Sequence, residues 1–158
     1  MPDIALKFDH EAVRSQVAEL CELLDNEEFA AFLALCHDEF QYEIHAFSPE
    51  LRRNMVWFCQ SKSEMSGLMG MLPEQVRPPA RILRHVSTPR IAQSARAGRI
   101  LARSTFTALR TAETGETAVL ACGRYEDEFV QESAGLQLLS RMTILDTRDL
   151  GLGLHVPI

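Results

Sequence analysis

The chain has 158 residues, of which 46% are hydrophobic, and a formal net charge of −6. This length suits one globular domain over residues 1–158, which would bury about 70% of the surface that the unfolded chain exposes. The acidic balance disfavours nucleic acid or an anionic membrane as partner, because both call for a basic surface. The longest apolar run, residues 29–36, is too short to cross a bilayer, and the first residues do not resemble a signal peptide. We therefore expect a cytoplasmic protein.

Two helices are predicted at the front of the chain. Asp9 is a suitable N-cap, and the apolar residues behind it recur on one helical stripe that needs a sheet beneath it. Asp25, followed three residues later by Glu28, resembles a capping box for a second helix. His37 lies at the predicted C-terminal end of that helix, where a histidine interacts favourably with the helix dipole. The first stripe comprises Val13, Val17, Leu20, Cys21 and Leu24, and the second comprises Phe29, Phe32, Leu33 and Cys36.

The next segment combines strand and helix signals. Residues 40–46 alternate apolar and polar side chains, as a half-buried strand does, and residues 53–59 contain an apolar run suited to a second strand. Ser61 with Glu64 then forms a capping box ahead of a third helix, which Pro73 ends.

The rest of the chain is predicted to be strands. Residues 81–92 form the first of them, although Pro89 confines that part to a sheet edge or a bulge. Three long strands follow, and Gly115 and Gly135 lie in the short joints between them, which indicates an antiparallel meander. The order of elements predicts an α+β fold with helices on one face of a strongly bent, six-stranded sheet. The long strands are residues 98–110, 117–130 and 136–147.

The cysteines and histidines do not predict a metal site. Iron–sulfur and zinc sites need close pairs of ligands, and a non-haem iron site needs two histidines and a carboxylate that converge. Neither spacing occurs, so we expect the cysteines to be buried free thiols without disulfides in a reducing cytoplasm. The residues concerned are Cys21, Cys36, Cys59 and Cys122, with His10, His37, His45, His85 and His155.

Six short motifs, in one order along the chain, carry a resemblance to a known family. From about residue 10 to the end, their series resembles the small, or beta, subunit of aromatic-ring-hydroxylating dioxygenases. Residues 50–81 match that family only in their strand-then-helix layout, and Ser87 stands where the family commonly has asparagine. The motifs are Leu23-Leu24-Asp25, residues 38–44, Arg84-His85-Val86-Ser87, Arg103-Ser104-Thr105-Phe106, Gly123-Arg124-Tyr125-Glu126-Asp127 and residues 141–146.

The resemblance implies a cone-shaped, curled, mainly antiparallel sheet of the nuclear-transport-factor-2-like (cystatin-like, SnoaL-like) class. It also implies a non-catalytic structural subunit in the terminal oxygenase of a multicomponent Rieske non-haem iron dioxygenase or monooxygenase. In such enzymes the large, or alpha, subunit carries the Rieske [2Fe-2S] cluster and the mononuclear iron. We therefore expect no cofactor in this chain, a hexamer of three large and three small subunits, and a homotrimer when the chain is alone. Aromatic carboxylates or hydrocarbons are the default substrates, and a sulfonate is an option for a divergent member.

A different class of function uses the same cone as an enzyme. A stand-alone isomerase, dehydratase or cyclase would need an acid/base pair in the internal pocket. The candidate residues are Asp38, Tyr42, His85 and Tyr125, although no local spacing pairs them. Alternation places His85 on one strand face with Leu83 and Ser87, and we favour an interior or interface histidine there over a catalytic base. A small-ligand binding module without chemistry is a third reading of the cavity.

Two further patterns bear on assembly. Opposite charges fall on neighbouring long strands, which predicts either exposed cross-strand ion pairs or a polar subunit contact. Residues 150–158 alternate apolar side chains and are expected to add to a sheet or to a neighbouring subunit. The charged residues are Arg103, Arg124, Glu126, Asp127, Arg141 and Asp146.

Overall fold

The structure, a computed structural model, describes residues 8–151, 153, 154 and 156–158. Its helices are α1 (His10–Asp25), α2 (Phe29–Ala34) and α3 (Lys62–Met71), which the short 3-10 helix Leu72–Glu74 follows. Its strands are β1 (Cys36–Ser48), β2 (Arg53–Ser61), β3 (Ala80–Val86), β4 (Arg90–Gln93), β5 (Arg99–Ala112), β6 (Thr117–Glu132) and β7 (Gly135–Leu145).

The strands form one curled, open sheet in the order β2-β1-β7-β6-β5-β3, with β4 paired to β5 beside β3. β1 and β7 run parallel, and the other recorded pairs are antiparallel. The α+β class and the antiparallel meander are thus confirmed. The sheet has seven strands rather than the six predicted, because residues 81–92 form two strands. The Ser87 hydroxyl accepts a hydrogen bond from the Thr105 amide (2.9 Å), and Pro89 beyond it has no N–H for the ladder.

Helix α1 begins and packs as its sequence predicts. The carboxylate of Asp9 accepts hydrogen bonds from the backbone N–H groups of Glu11 (3.0 Å) and Ala12 (3.3 Å). The whole apolar stripe is buried against the sheet, so α1 covers the inner face of the cone.

The predicted capping box before α2 is wrong. Glu28, not Asp25, precedes the helix, and it makes no side-chain cap. Asp25 ends α1 instead, and its carboxylate accepts a hydrogen bond at 2.5 Å from Nη1 of Arg84 on β3. Helix α2 stops at Ala34, so His37 lies in β1 and does not cap it; its Nδ1 accepts a hydrogen bond from the Glu39 amide (3.0 Å). The Asp25 carboxylate therefore binds Arg84, which is distant in sequence, and does not cap α2.

The capping box of α3 is confirmed. The Glu64 amide donates to the Ser61 hydroxyl (3.3 Å), and the Ser61 amide donates to the Glu64 carboxylate (2.7 Å). Lys62, in the first turn, donates to the carbonyl of Cys36 at the start of β1 (2.9 Å). These bonds fix α3 across the open end of the sheet.

The three long strands alternate inward and outward side chains over the core. Gly115 and Gly135 take positive φ values of 91° and 117° in the joints, as hairpin turns require. A set of inward residues from β5, β6 and β7 is fully buried with the helices. That set comprises Ile100, Ala102, Phe106, Ala108, Ala121, Tyr125, Phe129, Leu138 and Leu145.

The C-terminal tail returns to this chain's own core, and its described residues do not form a strand. Val156 and Ile158 are buried, and the hydroxyl of Tyr42 donates to the Ile158 carbonyl and accepts from the Ile158 amide, both at 3.0 Å. Arg84 donates to the carbonyl of Pro157. The expectation that the tail extends a sheet or a neighbour is therefore wrong for these residues; Leu152 lies outside the described residues.

Candidate functional site

A cavity of about 320 Å³ opens between α3, the β1–β2 pair and the tail. Its lining is almost wholly apolar: Gln75 and Tyr42 are the polar residues among the described residues around it. Trp57, the one tryptophan of the chain, stands at the rim. The lining consists of Tyr42, Ile44, Trp57, Phe58, Met65, Leu68, Met69, Leu72, Gln75, Leu150, Leu154, Val156 and Pro157.

Tyr42 is the one acid/base candidate that lines this cavity. Burial raises the pKa of its phenol, and both hydrogen bonds of the hydroxyl go to the backbone of Ile158. Such a group is neutral at physiological pH and already occupied, so it holds the tail rather than moving a proton.

Tyr125 lies in the core on β6, away from that lining. Its ring stacks on Phe106 with centroids 4.3 Å apart, and the guanidinium carbon of Arg141 lies 4.3 Å from the ring centroid. Burial raises the pKa of Tyr125 far above its ordinary value, and its hydroxyl has no hydrogen-bond partner among the described residues. The stacking makes this tyrosine part of the packing of the long strands.

Asp38 and His85, the other two candidates, lie on the outside. The side chain of Asp38 is 99% exposed and lies 3.6 Å from the ammonium of Lys62. His85 is exposed on β3 together with Leu83 and Ser87, on the shared face that alternation predicts. An interior position for His85 is therefore wrong. The structure does not bring Asp38, Tyr42, His85 and Tyr125 together around one pocket.

The histidines are not grouped as metal ligands in the part of the chain that the structure describes. Within the described ranges, no group of three or more His, Cys, Asp or Glu side chains is placed to hold a metal ion. His45 instead lies 2.6 Å from a carboxylate oxygen of Glu43, and His155 lies outside the described residues. The described residues therefore do not offer a ligand set for a Rieske cluster or a mononuclear iron.

The four cysteines are free thiols in three environments. Cys21 and Cys36 are buried as predicted, and burial raises the pKa of Cys36 to about 12. Cys122 is half-buried. Cys59 is exposed on the edge strand β2, which corrects the expectation that all four are buried.

Arg141 and Asp127 form an ion pair inside the core, which the sequence pattern did not distinguish from the exposed pairs. The guanidinium donates to both carboxylate oxygens, at 2.8 and 2.9 Å. Burial disfavours the charge on Arg141, but the charge and hydrogen bonds of Asp127 outweigh it and hold the pKa of Arg141 well above its usual value. The inward alternation of both strands was the signal that could have revealed this pair.

The outer face of the same strands carries the predicted cross-strand charges. Arg103 lies 3.6 Å from Glu126, and Arg124 lies 3.8 Å from Asp146. A groove of about 750 Å³ runs over this face. Its charged lining comprises Glu39, Glu43, Arg96, Arg99, Arg103, Glu126 and Glu128.

Comparisons with known proteins agree on one family. The family model described as "Ring hydroxylating beta subunit" matches residues 20–151. The subunit beta of 2-aminobenzenesulfonate 2,3-dioxygenase from Alcaligenes sp. is 38% identical over 87% of this chain and 91% of that protein. The hydroxylase subunit beta of methanesulfonate monooxygenase from Methylosulfonomonas methylovora is 31% identical over 94% of this chain and 86% of that protein.

Solved structures share the fold at low sequence identity. The beta subunit of benzoate 1,2-dioxygenase from Burkholderia mallei superposes with a TM-score of 0.76 at 10% identity, over 95% of this chain and 98% of that chain. A nuclear-transport-factor-2-like protein with a cystatin-like fold from Novosphingobium aromaticivorans superposes with a TM-score of 0.64 at 14% identity, over 89% of this chain and 84% of that chain, which confirms the predicted fold class. Among the described residues, no helix combines the length and apolarity needed to span a membrane.

Proposed function

Because this chain belongs to the ring-hydroxylating beta subunit family and is thus the small subunit of a multicomponent oxygenase, we propose that its role there is purely structural. In this proposal it is one domain over residues 1–158, works in the cytoplasm and stabilises the large subunit. The large subunit carries the Rieske [2Fe-2S] cluster and the mononuclear iron, and this chain carries neither.

The absence of a catalytic constellation supports the structural role. The described residues offer no metal-ligand group. The four acid/base candidates are split between the core and the outer surface, and the one that lines the cavity has its hydroxyl bound to the tail. A stand-alone isomerase, dehydratase or cyclase would need such groups to converge on one reacting atom.

The relatives narrow the substrate class. One curated relative belongs to a dioxygenase of an aromatic sulfonate and the other to a monooxygenase of methanesulfonate. The shared feature is the sulfonate group, not the aromatic ring. We therefore assign organosulfonates as the substrate class of the complex. In this proposal the large subunit determines whether the reaction is a dioxygenation or a monooxygenation.

The outer groove is the surface that we assign to subunit contacts in a complex of three large and three small subunits. Arginine and glutamate side chains occur there on neighbouring strands. The rigid guanidinium groups of arginine can bind carboxylates of a partner subunit in a fixed geometry, which suits a polar interface. The tail is excluded from this role where it is buried in the core. A homotrimer of the chain alone would use part of the same face.

The test is co-expression of this chain with its large subunit. We expect light scattering to report a mixed assembly of three plus three chains, and turnover of 2-aminobenzenesulfonate or methanesulfonate only when both subunits are present. Asp38→Asn and His85→Ala should leave turnover per assembled complex unchanged, because both side chains lie outside the core and the cavity.

One result would overturn the structural role, and another would overturn the substrate class. The first is a monomer that ignores the large subunit and converts a carbonyl substrate alone, with loss of that activity in either variant. The second is an assembled complex that oxidises benzoate or naphthalene but no sulfonate, which would reject the substrate class and keep the structural role.

A further inference from the structure

We propose that the cavity under α3 is a binding site for a small, uncharged ring compound, distinct from the sulfonate that the complex oxidises. The cavity volume of about 320 Å³ falls in the range of small-molecule sites. An aromatic wall from β1 and β2 faces a wall of methionine and leucine side chains from α3. An apolar lining of this kind favours apolar molecules over water, and methionines adapt to the shape of what binds.

The walls are held apart by bonds that do not depend on a ligand. The capping box Ser61–Glu64 and the bond from Lys62 to the Cys36 carbonyl anchor α3 at its first turn. On the opposite side, Tyr42 and Arg84 bind the backbone of Ile158 and Pro157. Because the first turn of α3 and the end of the tail are both tied to the sheet, a ligand meets a site whose walls are already positioned.

The chemistry of the lining selects for a neutral ligand. None of the described lining residues carries a charge, and the guanidinium of Arg84 is used by Asp25 and the Pro157 carbonyl. A sulfonate placed there would lose its hydration without a cation to replace it. The side-chain amide of Gln75 can form a hydrogen bond with a polar substituent of the ring compound.

The test compares toluene with p-toluenesulfonate, which differ only in the sulfonate group. The methyl groups of methionine, labelled with carbon-13 in the full chain, report the site: Met65 and Met69 line the cavity, whereas Met142 lies over the outer groove. We expect toluene to shift the Met65 and Met69 signals saturably and to leave Met142 in place. The sulfonate should bind at least tenfold more weakly.

A matched pair of variants tests the location. Leu68 (36% exposed) lies at the cavity mouth and Leu83 (42% exposed) lies on β3 away from it, so both accept a tryptophan with little effect on the core. Leu68→Trp should weaken toluene binding at least tenfold, and Leu83→Trp by less than twofold.

Several outcomes would overturn the proposal. Absence of saturable shifts up to the solubility limit of toluene would reject the site, and equal binding of the sulfonate would reject its selectivity for neutral ligands. Equal effects of the two variants would place binding elsewhere. Loss of binding in the complex with the large subunit would mean that the partner, not a ligand, occupies the cavity mouth. Turnover of sulfonates by the complex is measured separately, so failure here leaves the structural role intact.

Discussion

Arg141 of β7 and Asp127 of β6 face each other as a bidentate ion pair with both side chains wholly buried. The outer face of the long strands carries exposed pairs, among them Arg103 of β5 with Glu126 of β6. One arginine–carboxylate pair is thus buried and the other is exposed to solvent, so the loss of a partner should change the free energy of unfolding by different amounts.

Removal of one partner of the buried pair should be severe. Asp127→Ala leaves the guanidinium of Arg141 uncompensated in the core, and we expect a loss of about 3–5 kcal/mol in the free energy of unfolding. Glu126→Gln, on the exposed face, should change it by less than about 0.5 kcal/mol. Urea unfolding followed by circular dichroism measures both, and the double variant Asp127→Leu/Arg141→Met should recover most of the loss. Equal effects of the two single variants would contradict the burial of the pair.

Gly123 cannot accept a side chain. A Cβ at this position of β6 would overlap the backbone carbonyl oxygen of Ile144 on β7, which cannot move without breaking the strand pairing. We expect Gly123→Ala to destabilise the fold by about 2–3 kcal/mol or more. Gly67→Ala in α3 is the control, because nothing lies within 4 Å of its Cβ position, and it should stabilise by up to about 1 kcal/mol. Thermal unfolding distinguishes the two; a stable Gly123→Ala protein would mean that the strands pair differently.

Phe32 seals the open end of the core. It is wholly buried on α2 and makes an edge-to-face contact with Phe40 of β1 at a centroid distance of 6.2 Å. We expect Phe32→Ala to cost about 3–5 kcal/mol and to leave little folded protein at 37 °C. Phe47→Ala, at a residue that is 50% exposed, is the matched control and should be nearly neutral. An unchanged melting curve for Phe32→Ala would show that α2 is not packed there.

Cys59 should be the first thiol to react in the folded protein. It is exposed, whereas Cys21 and Cys36 are buried. Partial desolvation and then the nearby carboxylate of Glu43 raise the pKa of Cys59, so less thiolate is present at a given pH and labelling is slow near neutrality. Its rate should rise with pH, and Glu43→Gln should make it faster at pH 8. Labelling with a chromogenic disulfide, with Cys59→Ser as control, measures this; no change in Glu43→Gln would refute the coupling.

The purified chain should contain no stoichiometric iron and no Rieske absorption. The prediction depends on the ligand spacings of the sequence and on the dispersed His, Cys and carboxylate side chains of the described residues. Metal analysis after gel filtration is the measurement. About one iron per chain would show that ligands outside those residues complete a site.

Two of the three predicted helix N-caps form in the structure, and in both the partners are close in the chain. The Asp9 cap and the Ser61–Glu64 box each involve groups within three residues, so the sequence alone predicts them. Strand alternation and the turn glycines are local in the same sense, and together they predict an α+β fold with a bent antiparallel sheet; the cone shape is what the family resemblance implies. The family could also be predicted from the sequence, because the resemblance depends on short motifs in a fixed order along the chain.

What the sequence could not decide depends on partners far along the chain. Asp25 had the right spacing to cap α2, but Arg84, which lies 59 residues away, takes its carboxylate in the folded protein. The tail alternates like an added strand, yet Tyr42, 116 residues away, holds Ile158 in the core. In both cases the local pattern is compatible with two structures. Only the folded chain, which buries the competing polar and apolar groups together, selects one of them.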